Sequence, residues 1–265
     1  MTDTPSTQQP VLTAREGAIL NVTFNRPERL NAATPEMEAA IVRACDVANS
    51  DETIRIVTFS GATGSRASFM AGADLSTFSG VDSAESVQEI EEHAEHTLAA
   101  IEGLRVPAVA ILDGPVIGQG ALIASCCDVL LAGPDVLFGF PIARTVGNCL
   151  GIRNLSRMTD LVGIPATKTM IMRAKLFNSA ELAQTGALSA IADSHAALRE
   201  MARTVAEEMA GLAPLTLSYT KLSLARMREP GATNDDLVVQ SYLSRDAGEA
   251  AAAFLEKRPA QWLGR

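Results

Sequence analysis

Two glycine-containing turns carry the residues best placed to do chemistry: Phe69-Met70-Ala71-Gly72-Ala73-Asp74-Leu75 and Asp113-Gly114-Pro115-Val116-Ile117-Gly118-Gln119-Gly120. Each follows a short run that reads as a strand and opens a run that reads as a helix. A helix start leaves its first backbone N–H groups without intrahelical acceptors. Gly72 and Gly118 permit tight backbone paths, so the N–H groups of Ala73 and Gln119 can aim at one oxygen. That is the architecture of an oxyanion hole, in which a developing enolate or tetrahedral oxyanion gains from donors already in place. The side chains of Ala73 and Gln119 have no part in this role. Close packing at a strand–helix turn explains either turn alone; the pair at matched positions points to acyl chemistry.

Other polar groups are weaker candidates. Glu91, Glu92, His93, Glu95 and His96 form the densest ionisable cluster, on the helix between the two turns. His93 and His96 are three apart and share a face, and His96 or Glu95 is a candidate base, against the ordinary reading of a solvated surface. In the segment from Ala143 to Leu150, Arg144 can neutralise a carboxylate or phosphate, and Thr145 and Asn148 can orient a water. Cys149 is a nucleophile only with a depressed pKa. The alternative is a helix entrance capped by Thr145 with Cys149 buried. Asp74, at a helix start, suits the helix dipole and capping better than proton transfer. The four cysteines have no metal-site spacing and are expected to be buried, reduced thiols; no metal site is expected.

These residues need a scaffold. Val11–Glu16 and Ala18–Phe24 read as a hairpin turning near Gly17, with Ala18, Leu20, Val22 and Phe24 on one face. Thr34 caps a helix entered through Pro35, with Met37, Ala40, Ile41 and Cys45 at helical spacing. Strands are predicted at Ile54–Phe59, near Ser68-Phe69, at Val109–Leu112, Val129–Ala132 and Val136–Phe138, with helices at Glu85–Leu104 and Gln119–Cys126. From about Pro165 the texture turns helical: Ala166–Met172, Ser179–Gln184 with a capping box between Asn178 and Glu181, His195–Met209, Leu215–Met227 and Asp236–Lys257. Strands alternating with helices indicate βαβ crossovers and a mostly parallel sheet covered by helices.

The bulk properties narrow the function classes. A chain of 265 residues, 47% apolar and 20% charged, buries one large core, or one core plus a small accessory domain. A net charge of -9 gives no basic face for nucleic acid or an anionic membrane, while a few local cations would still serve a phosphate-bearing ligand. The first ten residues are polar, with neither a cationic start nor an apolar centre. A cytoplasmic location is expected.

At this point the chain resembles the crotonase superfamily, the enoyl-CoA hydratase/isomerase family. The resemblance covers about residues 12–263 and rests on Asn25-Arg26-Pro27-Glu28-Arg29-Leu30-Asn31-Ala32, Ala71-Gly72-Ala73-Asp74-Leu75 and Asp113-Gly114 leading to Gly118-Gln119-Gly120. It continues through Cys127-Asp128, Phe138-Gly139-Phe140-Pro141 and the terminal Phe254-Leu255-Glu256-Lys257-Arg258. It implies an α/β fold with a crotonase-like ββα spiral core and a C-terminal helical region: a flexible tail at 1–10, the core at 11–200 and a trimerisation region at 201–265. It further implies homotrimers or dimers of trimers. The implied substrate is an acyl-CoA thioester whose oxygen sits between the N–H groups of Ala73 and Gln119, with no cofactor beyond the coenzyme A of the substrate. Arg26, Arg29, Leu30, Ala32, Ala71, Asp74 and Leu75 would line the adenine portion, and Phe254 and Lys257 would reach the nucleotide end of a neighbour's ligand. The helix carrying His93 and His96 lines the acyl pocket in some members, and Asp128 looks structural.

One departure stands out. The two glutamates that a hydratase of this family uses fall at Leu122 and Ile142, and Gln119 replaces the middle glycine of the usual triple-glycine turn. Leucine and isoleucine neither transfer protons nor orient water, and adding water across an enoyl double bond needs both. The sequence therefore reads as an acyl-CoA-transforming enzyme, most simply described as an enoyl-CoA hydratase/isomerase. Double-bond isomerisation, decarboxylation, hydrolysis or noncatalytic acyl-CoA binding stand as alternatives.

Overall fold

The computed structural model describes residues 9–74, 81–228 and 231–265. β1 (Val11–Glu16) and β2 (Ile19–Phe24) form the expected hairpin about Gly17, pairing antiparallel from Val11 opposite Phe24 to Glu16 opposite Ile19. After a 3-10 turn at Pro27–Arg29, α1 (Pro35–Ser50) begins as predicted: the Thr34 side chain accepts from the Met37 N–H, and Met37, Ile41 and Cys45 are buried. β3 (Ile56–Gly61) starts two residues later than the pattern suggests and runs on through Ser60-Gly61. The short strand of the first glycine turn, β4 (Met70–Ala71), likewise falls just beyond Ser68-Phe69.

α2 (Ala84–Glu102) is capped by Ser83, whose hydroxyl accepts from the Ser86 N–H. β5 (Ala108–Leu112) leads to β6 (Pro115–Ile117), a strand inside the second glycine turn that the sequence reading takes for loop. α3 (Gln119–Ser125), β7 (Val129–Ala132) and β8 (Leu137–Gly139) follow close to expectation. One turn of helix, α4 (Ile142–Thr145), then precedes α5 (Ile152–Met172). The helical texture thus begins well before Pro165, because two helices abut at Gly163, whose φ of 77° breaks the spiral.

β9 (Phe177–Asn178), α6 (Ser179–Ala183) and β10 (Ala190–Ile191) close the core, with the Asn178/Glu181 capping box formed. α7 (His195–Ala210) and α8 (Pro214–Arg226) match their predictions. The single helix expected at Asp236–Lys257 is two, α9 (Asp235–Tyr242) and α10 (Arg245–Glu256), because Ser244 turns aside to cap the second.

There are two sheets where the pattern suggests one. The larger runs β1-β2-β3-β5-β7-β10 and is parallel from β2 onward; the smaller runs β4-β6-β8-β9, with only its last pair antiparallel. The main core lies between them and under α1 to α3, around Phe24, whose ring stacks on Phe59 at 6.2 Å and meets Phe69 edge-on at 5.2 Å. A second cluster, with Ile19, Ile56, Val109 and Leu131, packs the outer face of the larger sheet against Leu198 and Ala202 of α7. Asp128 is structural as expected: one carboxylate oxygen accepts from the Ala108 N–H and from Lys221, both at 2.7 Å. Cys45, Cys126 and Cys127 are buried, and burial pushes the Cys45 thiol up to about 12. Cys149 is exposed, contrary to expectation, because 143–149 runs along the surface. Among the described residues no helix is long and apolar enough to cross a membrane.

Candidate active site

The segment from Asn25 to Thr34 is built around Asn31. This residue is fully buried at a φ of 57°, where asparagine is better tolerated than most side chains. Its Oδ1 accepts from the Arg26 N–H at 3.0 Å, and its Nδ2 donates to the carbonyls of Ala62 at 3.0 Å and Ser68 at 2.7 Å. Arg26 closes the loop from the other side. Its guanidinium donates to the Ala32 carbonyl at 2.7 Å and pairs with Asp74 at 3.1 Å. The Ala71 N–H donates to the Leu30 carbonyl at 3.0 Å. The structure thereby brings Arg26, Leu30, Ala32, Ala71 and Asp74 together beside β4, with Arg29 exposed at the rim. Leu75, and the start of the helix expected after Asp74, lie outside the described residues.

The same loop aims the first donor. Ala33 donates to the Gly72 carbonyl and accepts from the Asp74 N–H, both at 2.8 Å. These bonds flank Ala73 on one side, so its own N–H points the other way. Among the described residues the Ala73 N–H has no acceptor. The second donor comes from the next strand of the smaller sheet: β4 and β6 are paired, and β6 runs into Gly118, the N-cap of α3. Gly118 sits at φ 55°, ψ -116°, a region that L side chains rarely enter, and Gly72 at φ 99°. The Gln119 N–H, at the first position of α3, likewise has no acceptor among the described residues. A Cβ built on Gly118 would lie 3.6 Å from the Gly72 Cα. The two turns are neighbours, as their pairing in the sequence suggested.

Leu122, on the next turn of α3, and Ile142, at the start of α4, are both buried. The polar groups expected to compensate are elsewhere: Arg144, Thr145 and Asn148 lie on the exposed stretch 143–149, and the Thr145 hydroxyl is taken by the Pro141 carbonyl at 3.1 Å. Thr145 therefore ends α4 rather than capping α5, whose N-cap is Gly151. His96 is exposed, and the His93 Nδ1 meets the Glu89 carbonyl at 2.8 Å. Glu95 is no base: hydrogen bonds from Arg157, aided by Arg153, hold its carboxyl below the usual range. Phe254 and Lys257 lie at the exposed end of α10, and the Lys257 ammonium has no ion-pair partner among the described residues.

One carboxyl does reach the site. Glu38, on the first turns of α1, is half-buried, and its Oε1 accepts from the Gln119 Nε2 at 3.2 Å. Burial pushes the Glu38 carboxyl up to about 7, against the pull of His93 on α2. Sequence reasoning passed over it because Pro35, Glu36 and Glu38 look like an ordinary acidic first turn. The signal was its register: Glu38 lies three and seven residues before Ile41 and Cys45, on the edge of the buried stripe.

The raised Glu38 value sets a pH dependence of stability. The folded chain holds this proton up to about pH 7 and the unfolded chain only to 4.5, so ionisation opposes folding as the pH climbs between those values. Glu38→Gln removes the charge. It is expected to be nearly neutral at pH 4.5 and to stabilise by about 3 kcal/mol at pH 8. Thermal melts of both chains at the two pH values measure the difference; equal gaps at both would exclude a raised Glu38.

Known proteins resemble this chain along almost its whole length. The family model described as enoyl-CoA hydratase/isomerase matches residues 14–265. The chain is 27% identical over 260 residues to the 2,3-dehydroadipyl-CoA hydratase of Escherichia coli K12, covering 96% of this chain and 99% of that one. It is 26% identical over 272 residues to enoyl-CoA hydratase domain-containing protein 2, mitochondrial, of Mus musculus, covering 100% of this chain and 90% of that protein. Among solved structures, an enoyl-CoA hydratase/carnithine racemase from Magnetospirillum magneticum superposes with a TM-score of 0.89 at 26% identity, over 98% of this chain and 97% of that one.

Proposed function

The chain belongs to the enoyl-CoA hydratase/isomerase family, and from that premise we propose that it transforms an acyl-CoA thioester by holding the thioester oxygen between the N–H groups of Ala73 and Gln119. The family acts on acyl-CoA thioesters; in this chain negative charge would gather on that oxygen as an enolate. The observation that supports it is two N–H donors, without acceptors among the described residues, presented by adjacent strands through turns in near contact. Each such donor typically contributes about 3 kcal/mol in a transition state.

The nucleotide end of the substrate belongs at the loop of Arg26, Arg29, Leu30, Ala32, Ala71 and Asp74. Since the Arg26 guanidinium is spent on Ala32 and Asp74, this loop contributes shape and backbone groups more than cationic charge. Lys257 is the better phosphate partner, an ammonium on a flexible stem with no ion pair among the described residues. Phe254 and Leu255 beside it, with Tyr242 and Leu243 at the end of α9, leave exposed apolar surface that suits contact between copies in a trimer or a pair of trimers.

Leu122 and Ile142 favour a second reading, binding without turnover, since neither moves a proton. A panel of saturated, 2-enoyl, 3-enoyl and β-carboxyacyl-CoA thioesters, followed by mass spectrometry, separates the two. Water gain, a shifted double bond, carbon dioxide loss or free CoA each identify a reaction. Retained thioester without product supports binding alone. Neither retention nor product would defeat the acyl-CoA reading.

A further inference from the structure

We infer that Glu38 is the proton-carrying carboxyl of this site, reaching the acyl chain from α1 where α3 and α4 supply only Leu122 and Ile142. The inference rests on the acyl-CoA reading above and assigns it a reaction class. Glu38 is one glutamine side chain away from the place where charge would develop: its Oε1 is held by the Gln119 Nε2 at 3.2 Å, and the backbone N–H of the same Gln119 has no acceptor among the described residues. The other oxygen, Oε2, has no hydrogen-bond partner among the described residues, and it is not one of the sealed, unsatisfied atoms of the interior. One oxygen is thus fixed and the other is open to a proton.

Two other carboxyls of this region are committed. Asp74 is paired with Arg26, and Glu95 with Arg157 and Arg153. From the elements packed on α1, the ionisable group acting on Glu38 is His93 of α2. β1 carries Arg15 and Glu16, but Arg15 is engaged by Asp51 at the opposite end of α1, and Glu16 borders a groove against α7. β2 carries no charged side chain. Glu38 therefore sits in a poorly solvated corner facing a neutral amide, where a carboxyl exchanges its proton near neutral pH and serves as base and acid in turn.

A single carboxyl of this kind closes one reaction cycle without help: movement of a double bond along the acyl chain. Glu38 as carboxylate takes a proton from the carbon between the thioester and a 3,4 double bond. The C–H electron pair passes into the thioester, and the charge rests on the oxygen held by Ala73 and Gln119. Glu38 returns the proton at the far end of the dienolate, the thioester carbonyl reforms, and the product is the 2-enoyl thioester. No water is consumed and no second base is needed, whereas hydration demands a group to activate water as well. The geometry therefore favours a 1,3-proton shift in an unsaturated acyl-CoA.

The test uses 3-hexenoyl-CoA in deuterium oxide with the full-length protein, following conversion to the 2-enoyl isomer and deuterium uptake by mass spectrometry. Binding of hexanoyl-CoA is measured in parallel by calorimetry. The unaltered protein is expected to isomerise the thioester and incorporate deuterium, with a rate that falls as the pH drops below about 7. Glu38→Gln is expected to lower kcat about 1,000-fold, to abolish that pH limb and to bind hexanoyl-CoA as before. Glu38→Asp, still a carboxyl, should recover part of the rate, and melting curves of each variant establish that it folds. Wild-type kcat and an unchanged pH profile in Glu38→Gln would overturn the assignment. So would a wild-type protein that binds the thioester but neither isomerises it nor exchanges hydrogen, an outcome that leaves acyl-CoA binding standing. Failure of the wild-type protein to bind hexanoyl-CoA at all would defeat the underlying acyl-CoA reading instead.

Discussion

Gly120→Ala is expected to lower the melting temperature by on the order of 10 °C and to cut acyl-CoA turnover about 100-fold. Gly120 is the second residue of α3, where the helix lies flush against β4. A Cβ at this position would stand 2.3 Å from the Met70 carbonyl oxygen and 2.8 Å from the Met70 Cβ. Neither neighbour is the far end of a flexible side chain. Relief therefore requires α3 to move away from β4, opening the packing of Met70, Ala121 and Leu122, all buried. Overpacking of this kind costs about 3 kcal/mol at the upper end of its usual range. The kinetic loss has the same origin: Gln119 adjoins Gly120 and Ala73 follows β4, so the shift that admits the methyl separates the two donors. A displacement of about 1 Å from productive geometry is enough for a 100-fold loss. Gly248→Ala in α10 is the matched control, since nothing lies within 4 Å of a Cβ there and the residue is exposed in a helix. It should gain up to about 1 kcal/mol from helix propensity. Thermal melts and turnover of both variants check the pair; a Gly120→Ala chain as stable and active as the unaltered one would show that the two turns do not depend on this contact.

That dependence explains which features were legible in the sequence. The hairpin, α1, α7 and the α6 capping box follow from local rules: alternation, a Thr-Pro entrance, a three-to-four periodicity, an Asn-x-x-Glu start. The two glycine turns were legible as neighbours because glycine at the end of a strand limits what the backbone can be doing. β6 was not legible, because Pro115–Ile117 has too few residues for a period and becomes a strand only by pairing with β4 and β8. The second sheet was lost with it. α5 was read short because Gly163 and Pro165 are breakers by local rules, whereas two helices meet there end to end. Glu38 was missed for a related reason. Its neighbour Glu36, two residues earlier in the same first turn, is solvated and held below the usual carboxylate range by hydrogen bonds from the backbone and Thr34. What separates the two acids is the contact of one of them with Gln119, a residue far along the chain.

Arg157→Met is expected to destabilise the fold by about 3 kcal/mol at pH 7, because it leaves two carboxylates in a half-buried site without their main partner. Arg157, on α5, is 4% exposed and reaches into α2. Its terminal nitrogens donate to both oxygens of Glu95 at 2.6 and 2.9 Å, to Glu102 at 2.7 Å and to Asn154 at 2.7 Å; its Nε is left unsatisfied. Arg228, beyond the end of α8, binds Glu102 as well as Asp160, so three helical elements meet at one charged knot. The knot fixes α2 against α5, and α2 carries His93 opposite Glu38. Burial raises the Glu102 carboxyl, but hydrogen bonds from Arg157 and Arg228 outweigh it and the net direction is downward; the hydrogen bond from Arg157 likewise lowers Glu95. Carboxyls lowered by folding contribute stability above their unfolded value of about 4.5 and lose it as the pH falls through the folded value. The gap between wild-type and Arg157→Met melts should therefore be widest near pH 7 and close as the pH approaches 3. Adding Glu102→Gln to Arg157→Met should recover part of the loss at pH 7, since the orphaned charge, not the missing contact, is the larger penalty. A gap that stayed constant with pH, or a double variant no better than the single, would assign the loss to packing of the arginine stem instead.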